Sequence, residues 1–179
     1  MTRLSQSVAT IMIVGLTGFI AACQQANNTG SSAGNNIDAC KLVSADQASS
    51  ILGTKITVRA IDTSAAGPDA ASMCNYAGDS IGSGFMLIAA HIGYSDAAAT
   101  VASQKKEESS HLPPGIPHPT FSDIKGLGDA AYLYETPGSF QLHVLAHGNA
   151  IVINRNTAAS ADAVEQARQI AQVALQRLK

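Results

Sequence analysis

A run of thirteen residues without a charge, Val8 to Ile20, stands near the start of the chain, with Arg3 before it and Ala21-Ala22-Cys23 directly after it. No acid precedes the run. A basic start, an apolar stretch and small residues at its end are the physical pattern of a secretory signal peptide. The stretch is shorter than the roughly 20 apolar residues that a spanning helix needs. Residues 1–22 are therefore expected to be a signal that is removed. The remainder is expected to fold in an oxidising compartment, where cysteines pair rather than stay reduced.

The junction Ile20-Ala21-Ala22-Cys23 resembles the signal of bacterial lipoproteins: an aliphatic residue, two small ones and a cysteine. The resemblance implies cleavage before Cys23, a diacylglycerol on its sulfur and an acyl group such as palmitate on its new amine. Gln24 stands where an Asp would imply inner-membrane retention. In a cell with two membranes the resemblance thus implies the outer membrane, facing the periplasm. Two or three acyl chains make a stable anchor, because each buried methylene contributes about 0.8 kcal/mol and one chain alone is marginal. From Gln24 to Asn36 the sequence holds Gln, Ala, Asn, Thr, Gly and Ser, without a charge. Such a segment buries too little apolar surface to order itself. As a flexible coil it reaches about 20 Å. Residues 23–36 are expected to be a lipidated tether and 37–179 a single globular domain.

Hydrophobic residues make up 46% of the chain, an ordinary share for a packed core, and charged residues only 13%, about half the usual share. The net charge is −2, and the cations are scattered apart from Lys105-Lys106. Nucleic-acid binding needs a basic stripe that displaces counterions, and anionic lipid needs a polybasic patch. Neither is present. With Cys23 acylated, Cys40 and Cys74 remain, and in an exported chain an even pair reads as one disulfide.

The domain opens at Ile37-Asp38-Ala39-Cys40. Ser44 is a helix N-cap with Gln47 three residues on, the capping-box spacing, and Gly53 is a C-terminal stop. A helix is predicted over Ala45–Leu52. Alternation over Lys55–Ile61 predicts a half-buried strand, and Ser72–Ala77 a second with Cys74 and Tyr76 on one face. Phe85–Tyr94, apolar and bounded by glycines, predicts an interior strand. Asp96–Ser109, capped by Ser95, predicts a surface helix with a thin stripe of Ala98, Val101 and Ala102. Four prolines between His111 and Pro119 force an extended loop. Strands follow at Tyr132–Tyr134, Phe140–His147 and Ala150–Asn154, with a tight turn at Gly148-Asn149. The last helix spans Ser160–Leu178, with Asp162 and Glu165 as a capping pair. The predicted order is α-β-β-β-α-β-β-β-α: an α+β domain, an antiparallel sheet of about six strands with helices mainly on one face.

A cysteine before Leu42-Val43-Ser44, then Cys74-Asn75-Tyr76 and Gly126-Leu127-Gly128-Asp129-Ala130-Ala131, resemble small lipoprotein domains of unknown function from bacterial envelopes. The resemblance implies a compact α+β domain with the two cysteines paired. It implies no catalytic residue.

The chemistry on offer is sparse. Gly126-x-Gly128 echoes a dinucleotide loop but is followed by strand-forming residues rather than a helix, so it reads as a turn. Ser83 lies between Gly82 and Gly84 without a strand-to-helix elbow. Asp38, Asp129 and Glu135 are acids with no spaced partner. His143 and His147, four apart in a predicted strand, share a face, and His91 ends another strand. Three imidazoles can hold Zn²⁺ or Cu²⁺, but no cysteine or acid of fixed spacing supports them. His111 and His118 flank the proline loop. The sequence therefore points to a membrane-anchored, non-catalytic binding or accessory module that meets another envelope protein. The alternatives are a small-ligand or metal-binding lipoprotein and an envelope hydrolase. No cofactor is expected.

Overall fold

The computed structural model describes residues 37–67, 70–110 and 117–178. The expected signal, Cys23, the tether, His111 and the proline stretch from Leu112 to Ile116 lie outside the described residues. Two short helices come first, α1 (Ala39–Leu42) and α2 (Ala45–Leu52). Then follow β1 (Thr57–Ile61), β2 (Ser72–Ala77), β3 (Phe85–His91), α3 (Ala97–Ser110), β4 (Thr120–Asp123), β5 (Ala130–Thr136), β6 (Ser139–Ala146), β7 (Asn149–Arg155) and α4 (Ala161–Leu175). The strands make one sheet of seven, in the order β1-β2-β3-β7-β6-β5-β4, and every neighbour is antiparallel. The α+β class is as predicted. The strand count is seven rather than about six, because β4, a four-residue edge strand, carries too little alternation to read.

The capping-box prediction holds. Ser44 Oγ accepts from the Gln47 amide at 3.2 Å, and the Gln47 side chain accepts from the Ser44 amide at 3.1 Å. Gly53 ends α2 with a left-handed backbone, φ +68, the conformation a glycine adopts at least cost. At α3 the cap is Asp96, not Ser95: Asp96 Oδ1 accepts from the Ala99 amide at 3.0 Å. At α4 the cap is Ser160, whose hydroxyl accepts from the Ala163 amide at 3.2 Å, so Asp162 lies inside the first turn and makes no capping pair with Glu165. The turn between β6 and β7 is His147-Gly148, both at positive φ (+53 and +77), one residue earlier than predicted. Two positive φ values give a turn whose twist matches the strands it joins.

Side chains alternate across the sheet. One row runs through all seven strands as Ala60, Cys74, Leu87, Ile153, Leu142, Leu133 and Ser122. Its central members are fully buried beneath α1, α2 and α4, in the larger of two apolar clusters. Tyr76 stacks on Phe85 there, with ring centroids 4.2 Å apart, and its hydroxyl donates to the Val43 carbonyl at 2.7 Å. Burial pushes that phenol up to about 12. The Cys40–Cys74 disulfide ties α1 to β2 with a Cα–Cα distance of 5.1 Å. On α4 the buried residues are Ala163, Ala167, Ile170, Ala171 and Ala174, so the helix lies closely on the sheet through alanines.

The motif Gly126 to Asp129 is a structural knot. Leu127 is buried in the core. A Cβ at Gly128, φ +63, would stand 2.4 Å from the Leu145 carbonyl oxygen, so only glycine fits. Asp129 Oδ2 accepts from the Tyr94 hydroxyl at 2.6 Å and the His147 amide at 2.9 Å. These bonds hold its carboxyl below the usual carboxylate range, Tyr94 first. They tie the β3–α3 connection to the β6–β7 turn.

Replacing both Cys40 and Cys74 by Ala is expected to lower the unfolding free energy by about 2–4 kcal/mol, read from urea unfolding as a lower midpoint with a steeper slope, since the unlinked chain unfolds to a less compact state.

Candidate functional site: the half-open face of the sheet

The opposite face carries two neighbouring rows. One is Arg59, Asn75, Met86, Asn154, Gln141, Tyr134 and Phe121. The other is Ile61, Met73, Ile88, Val152, His143, Tyr132 and Asp123. Among the described helices α3 packs here, against β5, with Val101 set among Tyr132, Leu145 and Ala150. Among the described residues no helix covers the β1–β3 half. Met73, Met86 and Ile88 are half-buried, Asn75 and Arg59 exposed, and Ile61 is 37% exposed. A buried strand row would hold only apolar residues. This one mixes thioethers, aliphatics and primary amides with a single cation, a surface suited to contact rather than to water alone.

At one end of this half, the β2–β3 turn folds back to form a half-open cleft of about 220 Å³, lined by residues including Asn75, Gly78, Ser80, Gly84, Met86, Asn154 and Asn156. Ser83 braces that turn: its hydroxyl donates to the Ser80 carbonyl at 2.6 Å and accepts from the Ser80 amide at 3.1 Å. It is a turn residue with no base beside it, which leaves the hydrolase reading without a nucleophile at that position. Ile81, at the tip of the turn, is fully exposed.

Beneath α3 lies a line of polar side chains that sequence reasoning missed. The Tyr132 hydroxyl stands 3.1 Å from Glu108 Oε1 and 3.0 Å from His143 Nδ1, and His143 Nε2 is 3.0 Å from Gln141 Oε1. The Tyr132 and His143 rings stack at 4.5 Å. Lys105 pairs with Asp123 and stands 5.2 Å over the Tyr132 ring. Burial pushes the Glu108 carboxyl up to about 7, although the Tyr132 hydrogen bond opposes it. Burial pushes His143 down to about 3, so the ring is neutral. Burial raises the Tyr132 and Tyr134 phenols, with the Glu108 charge adding to each. Glu108 Oε2 is buried with no hydrogen-bond partner among the described residues. A sequence signal for this arrangement exists. Val101, Lys105 and Glu108 are spaced i, i+4, i+7, which puts all three on one helix face.

The structure does not bring His91, His143 and His147 together. His143 is buried opposite Val152. His91 is exposed opposite Asn149, whose Oδ1 is 3.0 Å from its Nδ1. His147 is an exposed turn residue beyond the end of β6. Three residues along a strand separate the levels of His91 and His143, about 10 Å. Among the described residues no group of three or more His, Cys, Asp or Glu side chains is placed to hold a metal ion. His118 is exposed, and Asp38 caps α1 through the Cys40 amide at 3.0 Å.

No family model matches the sequence, and no curated protein matches it. Among solved structures, a GTP-binding regulator from Thermotoga maritima is 9% identical, with a TM-score of 0.38 over 80% of this chain and 95% of that one. A likeness of that size carries neither fold nor activity over.

Tyr132→Phe leaves Glu108 Oε1 and His143 Nδ1 without the hydroxyl between them. The variant is expected to lose about 1–3 kcal/mol of stability, the cost of unpaired buried polar groups. Hydrogen exchange should show α3 amides losing more protection than β7 amides.

Proposed function

We propose that the chain is a lipid-anchored accessory module of a bacterial envelope that binds another envelope protein through the uncovered β1–β3 half of its sheet. The observation that carries this reading is the pair of rows through Asn75–Met86–Asn154 and Met73–Ile88. They are half-exposed and nearly uncharged, on a sheet whose other face is buried at its centre beneath α1, α2 and α4. Primary amides beside apolar side chains supply hydrogen bonds and burial together, the composition of an interface core.

The place where the chain enters supports the same reading. Ile37 precedes α1, and the Ala39 amide donates to Ser72 Oγ at 3.0 Å, which sets the entry at the Ser72 end of β2. The cleft and Ile81 lie past the other end, after Ala77. The described chain thus enters the domain at the end of β2 away from the cleft and Ile81. A tether of about 20 Å keeps the partner within the same envelope layer. Among the described residues no helix is long and apolar enough to cross a membrane. In this reading attachment is by the lipid on Cys23. The histidines, set apart as they are, give the metal-binding alternative no support.

The test is site-specific photo-crosslinking in intact envelopes, with the crosslinker at Asn75, at Met86, or at Gln169 on the exposed side of α4. One protein joined from Asn75 and Met86 in stoichiometric amount, absent from Gln169 and lost in Met73→Asp, is the expected result. Equal labelling from all three positions overturns the docking surface. Cys23→Ser should move the protein from the membrane to the aqueous fraction, and retention of the variant in the membrane overturns the anchor.

A further inference from the structure

We propose that Met86 is an oxidation site: its thioether takes one oxygen from a peroxide, and the resulting sulfoxide is received by the carboxamides of Asn75 and Asn154. The described residues hold two methionines, Met73 and Met86. Cys40 and Cys74 are joined to each other, so among the described residues these two thioethers are the sulfurs left for an oxidant. Both are half-buried, on the neighbouring strands β2 and β3, on the half of the sheet that no described helix covers.

The register gives the two methionines different surroundings. Met86 stands directly opposite Asn75 on β2 and directly opposite Asn154 on β7. Met73 stands between Ile61 on β1 and Ile88 on β3. Directly opposed residues have Cβ atoms about 4.5–5.5 Å apart, so an oxygen added to Met86 lies within reach of both carboxamides. Access differs as well. Met86 lines the half-open cleft of about 220 Å³ together with Asn75, Asn154 and Asn156, which gives a small oxidant a path to the side chain. Met73 is not part of that wall.

The carboxamides are unspent. Those of Asn75 and Asn154 make no hydrogen bond to another described residue, whereas the Asn149 side chain is engaged with His91 and with the His147 carbonyl. Each carboxamide has two N–H donors, and a thioether sulfur is only a weak acceptor for them. A sulfoxide is polar, and its oxygen is an acceptor that the same donors can use. Oxidation usually disrupts a packed methionine. At Met86 the new oxygen has a donor on each side and an open cleft in front, so the fold tolerates it. At Met73 the opposed neighbours are aliphatic, and the same change costs packing.

The step balances. The sulfur lone pair attacks one peroxide oxygen, the O–O bond breaks, and the second oxygen leaves as hydroxide. Hydroxide then takes the proton from the oxygen on sulfur and departs as water. Sulfur is oxidised by two electrons and the peroxide is reduced by two. A reductase that turns two thiols into a disulfide restores the thioether and releases water. One consequence rests on the docking reading above: the sulfoxide makes the middle of the contact polar and occupies the two amides offered to the partner, so oxidation weakens docking.

The experiment is brief hydrogen peroxide treatment of the purified full chain, with the added oxygen located by peptide mass mapping. Met86 is expected to gain oxygen before Met73. In NMR spectra the side-chain amide signals of Asn75 and Asn154 should move on oxidation, while those of Asn149 stay. In Met73→Leu, oxidation of Met86 should change the urea unfolding constant by less than about threefold. With Asn75→Leu and Asn154→Leu added, the same oxidation should raise it roughly tenfold, the cost of a polar group left unpaired. Oxygen on Met73 first, or unmoved Asn75 and Asn154 signals, overturns the proposal, and both are read on chains that keep these amides. For the consequence, a photo-crosslinker at Arg59 should give less adduct after peroxide in wild type and an unchanged amount in Met86→Leu. An adduct indifferent to oxidation overturns the switch and leaves the docking reading standing. No adduct before oxidation overturns the docking reading and the switch with it, and the peptide map still decides the site.

Discussion

Among the described residues seven strands make a sheet with more surface than the four helices cover, and that mismatch governs the rest of the structure. α1, α2 and α4 seal one face, where the row through Cys74, Leu87, Ile153 and Leu142 is fully buried. The buried alanines of α4 bring its backbone close to the sheet. Among the described helices the second face receives α3, which has a single buried apolar residue, Val101, among its fourteen. A helix with so little apolar surface gains little from the hydrophobic effect. Its attachment must therefore rest partly on polar contacts, which is where Glu108, Lys105, Tyr132 and His143 enter.

Much of the first face was legible in the sequence. The Ser44/Gln47 box, Gly53 as stop, the shared side of Cys74 and Tyr76 and the pairing of the two cysteines follow from local rules that tertiary structure did not override. The second face was less legible, for physical reasons. Lys105-Lys106-Glu107-Glu108 looks like the solvated end of a surface helix, and only the spacing from Val101 separates Lys105 and Glu108 from their neighbours. His147 reads as a strand residue, since alternation extends to it, but the chain needs positive φ there and Gly148 supplies only half of the turn. The Asp129 carboxylate on its amide and the Asn149 amide on its carbonyl, at 2.9 Å and 3.1 Å, offset that backbone cost. Neither contact has a local signature. β4 is four residues at an edge, too short for alternation to stand out.

Several residues whose spacing suggests chemistry serve the fold instead. Ser83, Asp129 and the glycines around them, whose spacing suggests catalytic or nucleotide loops, are consumed by turns: a hydroxyl bracing its own loop, a carboxylate joining two connections, a glycine under a carbonyl. The densest group of residues with moved protonation, Glu108, Tyr132 and His143, lies instead between α3 and β5–β6. Perturbed groups of that kind accompany active sites or structural networks, and here Tyr132 and His143 are fully covered, so substrate cannot reach them while α3 is in place. The network belongs to the attachment of the helix.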